Sequence, residues 1–300
     1  MEYIIFAFLA LLASAGNTVF NRLGANRASA LTNAVLKSFY IVFACFLICL
    51  AFGHVPTLYN LSLEEWLWIG LIGILTSIDW LFYFLAIKRS HLEAFSPFCT
   101  AGTLFLSNSL FATFVLTIVT NGGKPLNIIL YFLGLTLLLC ALIYIVLNKK
   151  INPKRKTLWV IFALVATLSF AFVLLIVKLK LSSLPSDVVS FHQMSILFVV
   201  MLVSCLVTKS AKEVVKIRLV DHLYIFIGAV FNALMVVLRY TAYSYTNSVP
   251  AIINVIIGLD FIIVSLGTVL FFKAKNKLQL SLIIILVAMG MILNTIAGII

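Results

Sequence analysis

Ten apolar stretches, each long enough to cross the hydrocarbon core of a bilayer, dominate this 300-residue sequence. They fall near residues 3–20, 34–52, 66–87, 94–119, 127–147, 158–177, 188–207, 220–240, 249–272 and 279–299. Only short, breaker-rich loops separate them: GHVPT, NGGKP, NKKINPKRK, SSLPSD, TNSVP and KAKNK. Inside a bilayer the backbone finds no water to bond, so such segments must satisfy their own N–H and C=O groups as helices. The expected fold class is an all-α integral membrane protein with ten transmembrane helices. Composition agrees, since only 10% of residues are charged against about 25% in a soluble domain. No loop is long enough to form a soluble domain, so any chemistry takes place in or beside the membrane.

The first stretch contains Ala13-Ser14-Ala15, which has the look of a signal-peptidase site. It lacks a basic leader, and its early charge is Glu2, so it reads as a span. The net charge of +12 does not require nucleic acid as a partner, because the basic residues gather in loops on one side. The loops after spans 1, 3, 5, 7 and 9, with their edges, hold 17 of the 21 lysines and arginines; Lys124, Lys178, Lys180 and Arg239 are the remainder. The positive-inside rule makes those five loops cytoplasmic and both termini extracytoplasmic, in a multi-pass protein of the cell membrane. Trp66, Trp68 and Trp159 are expected as interfacial anchors. The five cysteines lie in apolar runs without acidic or imidazole neighbours and read as small buried hydrophobes.

The chain also matches itself. FLAIKRSHLEAFSPF (84–98) aligns without a gap on YTAYSYTNSVPAIIN (240–254), setting Ala86 on Ala242, Ser90 on Thr246 and Ala94 on Pro250. ASALTNAVLKSFY (28–40) likewise aligns on the segment beginning at Ser182. Two halves follow, 1–150 and 151–300, joined by the basic linker NKKINPKRK. Five spans is an odd number, so the second half enters the membrane upside down relative to the first. Such inverted repeats let one central site open to either side.

With ASAGNTVFNR late in span 1, the hairpins around LAIKRSHLEA and TAYSYTNSVPA, and the 5 + 5 layout, the sequence resembles the drug/metabolite transporter superfamily, in particular its ten-span EamA-like members. The resemblance spans the chain. It implies alternating-access movement of a small metabolite or drug-like solute through a cavity lined by spans 1–4 and 6–9, with spans 5 and 10 bracing the bundle. The chain departs from the family in two respects: the charge count puts its termini outside, where many relatives have theirs in the cytoplasm, and it lacks a recurrent acid. TIVTNGGKPLN and FFKAKNKLQLS lack the glutamate that family halves often carry at the end of the fourth span.

Ionisable residues inside spans cost roughly 2.5–3.5 kcal/mol each to insert and therefore mark candidate sites. Asp79 in span 3 and Asp260 in span 9 are the proton-coupling candidates. Trp80 flanks Asp79, and Tyr83 follows at i+4 on the same face, so the three could receive a cationic amine with a counter-charge and two π faces. His192, Gln193, Asn17, Asn21 and Asn254 complete the substrate-binding candidates. Asn254 and Asp260 diverge by about 120° around their helix. Lys37 and Arg239, near span ends, read as interfacial residues that snorkel. Tyr243 and Tyr245 read equally well as belt residues.

Other functions leave no signature. The four aspartates are far apart in sequence, which disfavours a metal–diphosphate transferase. HExxH, GxGD and a nucleotide-binding glycine loop are absent, so neither a protease nor an ATP-driven pump is indicated. No selectivity-filter repeat suggests a channel. The expectation is a secondary transporter that needs no cofactor, is coupled to protons or to an exchanged solute, and works as a monomer or homodimer. An intramembrane enzyme on lipid-linked substrate and a non-transporting scaffold are the alternatives.

Overall fold

The computed structural model describes residues 2–25, 29–89, 125–147, 158–208, 211–214, 217–260, 263 and 277–299. Those residues build helices α1 (Glu2–Ala25), α2 (Ala30–Ala51), α3 (Leu63–Arg89), α4 (Pro125–Leu147), α5 (Leu158–Lys180), α6 (Ser186–Val207), α7 (Leu219–Ser244), α8 (Pro250–Gly258) and α9 (Lys277–Ile299). A 3-10 turn covers Val55–Tyr59, and a single helical turn covers Ala211–Val214. There is no strand among the described residues. The expected span 94–119 lies outside them, as does most of 249–272 beyond Asp260.

Five of the described helices contain segments long and apolar enough to cross a bilayer: Glu2–Phe20, Leu31–Ala51, Leu63–Ala86, Ser186–Val207 and Leu219–Ser244. The distribution of side chains fits the same solvent. Phe39, Phe43, Leu67, Ile74, Phe132 and Ile285 are exposed, whereas Ser14, Asn17, Thr18, Lys37, Thr76, Asp79 and Arg239 are buried. An outer surface this apolar around so polar an interior suits hydrocarbon rather than water. The chain is a membrane-embedded helical protein.

Local sequence sets the helix ends. Ser29 caps α2, accepting a hydrogen bond from the Thr32 amide at 3.3 Å. Ser62 and Glu65 form a capping box before α3: the Ser62 amide donates to Glu65 Oε2 at 2.6 Å, and the Glu65 amide donates to Ser62 Oγ at 3.3 Å. At the other end of α2, the His54 amide reaches the Cys49 carbonyl and the Gly53 amide reaches that of Leu50. That Schellman pattern needs a left-handed residue, and Gly53 supplies it with φ +73°. Pro125 and Pro250 open α4 and α8, where a missing N–H costs little.

α1 lies along α7, α3 along α5, and α4 along α9; α2 packs on α6 and α7, and α3 also on α6. Two of these contacts are close enough to require glycine. A Cβ on Gly16 would sit 2.8 Å from the Phe231 ring, and one on Gly73 would sit 2.7 Å from Ile196. At one end of the bundle the 3-10 turn is pinned to α6. His54 Nδ1 lies 2.9 Å from both oxygens of Asp187, and Leu58 packs with Cys49 and Val188. Ring contacts of Phe39 with Phe198 and of Phe46 with Phe191 run in opposite order along the two helices, which makes α2 and α6 antiparallel.

Several side chains expected at the membrane surface lie inside. Trp159 is buried in the main core rather than anchored at an interface. Trp68 does hold polar company, donating to Glu64 at 3.2 Å and lying 5.3 Å beneath the Lys180 ammonium.

Candidate functional site

Thr76, Asp79, Trp80 and Tyr83 stand at i, i+3, i+4 and i+7 on α3 and so form one face of that helix. The face lines a cavity at the centre of the bundle. Asn17 of α1, Lys37 of α2, Phe170 of α5, Gln193 of α6, and Asn232 and Tyr240 of α7 close it. The cavity measures about 40 Å³. That is room for about three waters, against roughly 300–1,000 Å³ for a ligand pocket. The space is narrow, and a solute can occupy it only after the helices part.

The polar wall is organised. Lys37 Nζ donates to Asn17 Oδ1 at 2.6 Å and lies 5.5 Å from the centre of the Trp80 ring. An amide oxygen and a π face are both contacts suited to an ammonium. Asn232 Nδ2 donates to the same Asn17 oxygen at 3.3 Å. A lysine can only donate, so this bond fixes the amide of Asn17: its Nδ2 points elsewhere, is buried, and has no hydrogen-bond partner. Gln193 Nε2 donates to Thr76 Oγ1 at 2.5 Å, and Tyr240 Oη donates to Gln193 Oε1 at 2.7 Å. Asp79 is buried, and its Oδ1 has no hydrogen-bond partner. An orphaned carboxyl oxygen in so dry a place is costly.

A second charged group adjoins the cavity. Arg239 is almost wholly buried, stacks 5.1 Å from the Phe170 ring, and lies within electrostatic reach of Asp79 and Asp260. Asp260 accepts a hydrogen bond from Ser14 Oγ at 2.6 Å, which ties the end of α8 to α1.

Of the candidates drawn from sequence, Asp79, Trp80, Tyr83, Asn17 and Gln193 meet around one cavity. The others lie elsewhere. His192 Nε2 bonds the Leu58 carbonyl at 3.1 Å and packs edge-on to Trp66, at the same end as the His54–Asp187 pair. Asn254 accepts from Tyr243 Oη at 2.5 Å, so Tyr243 is an interior residue, not a belt residue. Asn254 and Asp260 have different partners, as their angular divergence implied. The side chain of Asn21 lies outside the described ones.

Lys37 and Arg239 correct the sequence reading most, for both were placed at the interface. α2 begins at Ala30 and α7 runs on to Ser244. Each cation therefore sits farther from its helix end than the apolar run alone suggested, and each is buried among the helices. The i, i+3, i+4, i+7 spacing was the available signal for Thr76. Tyr240, like Thr76, reads in the sequence as a further hydroxyl for the site, whereas Asn232 reads as a residue tying neighbouring helices together.

No family model matches the chain, and no curated protein matches it. A protein of known crystal structure shares the fold, with a TM-score of 0.65 and 14% identity over 100% of this chain and 99% of that one. A likeness at that identity speaks for the fold and is silent on activity.

Proposed function

We propose that this chain is a secondary transporter resembling the drug/metabolite transporters. In this reading it has ten spans in two inverted halves, 1–150 and 151–300. It moves a small solute bearing a cationic nitrogen across the cell membrane by alternating access through the central cavity. The observation that carries the reading is Asp79: a buried carboxyl group with an orphaned oxygen, flanked by Trp80 and Tyr83, in a narrow cavity walled by helices from both halves. A carboxylate between aromatic rings is a receptor for an organic cation or a proton.

The helix pairing supports the inverted repeat. Exchanging the first five spans for the second five turns the α1–α7 contact into α5–α3 and the α2–α7 contact into α6–α3. The α2–α6 and α4–α9 contacts map onto themselves. The antiparallel run of α2 and α6 is what a two-fold axis in the membrane plane requires. Setting the buried Lys37 and Arg239 aside removes one cation from each side of the charge count, so the bias toward cytoplasmic odd-numbered loops keeps its direction.

Coupling to a proton gradient or to a counter-substrate follows from the lack of a nucleotide motif. The test is counterflow in proteoliposomes preloaded with unlabelled small solutes bearing a cationic nitrogen. Saturable, transient accumulation of the labelled solute is expected. Non-saturable flux, or no flux for any of them, contradicts the reading. So does net accumulation that survives collapse of the proton and sodium gradients with no counter-substrate present.

A further inference from the structure

The same cavity is lined by residues with buried side-chain atoms of unmet hydrogen-bonding capacity, Asn232 Oδ1 among them, and two of these atoms are of opposite kind. Asp79 Oδ1 is a carboxyl acceptor; Asn17 Nδ2 is a donor, fixed beside the Lys37 Nζ that bonds the other end of the same amide. Lys37 and Asp79 line one cavity, yet they form no ion pair with each other.

From this geometry we infer that the transported solute is a small zwitterion, its cationic nitrogen held by Asp79 between Trp80 and Tyr83 and its carboxylate held by Lys37 and Asn17 Nδ2. The inference rests on reading the cavity as the transport site and narrows its substrate class. A carboxylate would satisfy the orphaned Asn17 donor and add a charge-assisted bond to Lys37. The cationic end would satisfy Asp79 Oδ1. Charge balance favours the same class. Among the described residues, the ionisable acid and base that line the cavity are Asp79 and Lys37, one of each sign when charged. A solute of zero net charge leaves that balance intact, whereas a lone cation or anion adds an uncompensated charge to a low-dielectric interior.

The test uses matched probes differing only in charge. Glycine betaine and β-alanine are the zwitterions. Choline and propylamine retain the cation without the carboxylate. 3,3-Dimethylbutyrate and butyrate retain the carboxylate without the cation. Thermal stabilisation of the purified, detergent-solubilised protein is the readout. At least one zwitterion should raise Tm more than both of its single-charge counterparts, with an apparent affinity roughly tenfold or more tighter. Lys37→Met should erase that preference and leave zwitterion and cation equal, while Lys37→Arg should retain it. Asp79→Asn should abolish the response to the cations.

A cation as effective as its zwitterion on the wild type overturns the inference, as does a preference that persists in Lys37→Met. The wild-type ranking decides even if the lysine variants fail to fold. No response to any probe also overturns it. Counterflow of a simple cation would then leave the transport reading standing, and its absence for every solute would remove both.

Discussion

Tyr240 of α7 donates its hydroxyl hydrogen to Gln193 Oε1 of α6 at 2.7 Å, and the same glutamine donates to Thr76 of α3 at 2.5 Å. One side-chain amide thus joins three helices beside the cavity, and two of those helices come from the second half of the chain. Interhelical bonds in membranes average about 0.6 kcal/mol, so Tyr240→Phe should lower stability by about that much. Gln193→Leu removes both bonds and strands the Tyr240 hydroxyl, at a cost of about 1–3 kcal/mol. Thermal unfolding in detergent checks both variants. Gln193→Leu as stable as wild type would contradict the clamp.

The two glycines of the α3 sequence GLIG should respond oppositely to the same change. Gly73→Ala drives a methyl group into Ile196 and should destabilise by about 1–3 kcal/mol. Gly70 has open space at its Cβ position, so Gly70→Ala should be neutral or stabilise by up to about 1 kcal/mol through helix propensity. Equal effects of the two changes would mean that α3 and α6 do not meet at Gly73.

Orientation is testable separately. Reporters fused at both termini should register the external face, and one inserted beside Lys150 should register the cytoplasm. A cytoplasmic C-terminus would refute the proposed topology.

What was legible in the sequence follows from what one helix can reveal about itself. Spacing along α3 put Asp79 and Tyr83 on one face, with Trp80 beside them, and the same periodicity separated Asn254 from Asp260. Register between helices leaves no such trace. His192 and Gln193 are neighbours in sequence, yet one turns to Leu58 at the end of the bundle and the other to Thr76 and Tyr240 beside the cavity. Hydropathy also marks helix ends poorly wherever polar residues continue the helix. Lys37 lies nearly two turns inside α2, and Arg239 more than a turn inside α7, so both seemed closer to water than they are. Trp159 misled for a related reason, since an indole at a span end can face the bundle as readily as the headgroups.

Asp260 should matter to packing as well as to charge. Ser14→Ala removes its 2.6 Å bond and leaves the same oxygen the longer contact from Thr18 Oγ1 at 3.5 Å, which should cost about 1 kcal/mol. Asp260→Asn retains a group able to accept from Ser14 and should be milder. Thermal unfolding of the two variants gives the order, and the reverse order would place the role of Asp260 in its charge rather than in its bond to Ser14.

The central claim is that Asp79 receives the cationic group of the solute, a proton, or each in turn, and counterflow by Asp79→Asn as a function of pH tests it most directly. The amide keeps the shape of the carboxylate and removes its charge. Expression and thermal stability should stay close to wild type. Counterflow should fall on the order of tenfold or more, the equivalent of at least ~1.4 kcal/mol, and the remainder should no longer vary with pH. Wild-type counterflow with an unchanged pH profile in Asp79→Asn would contradict the account and leave Asp79 a packing residue.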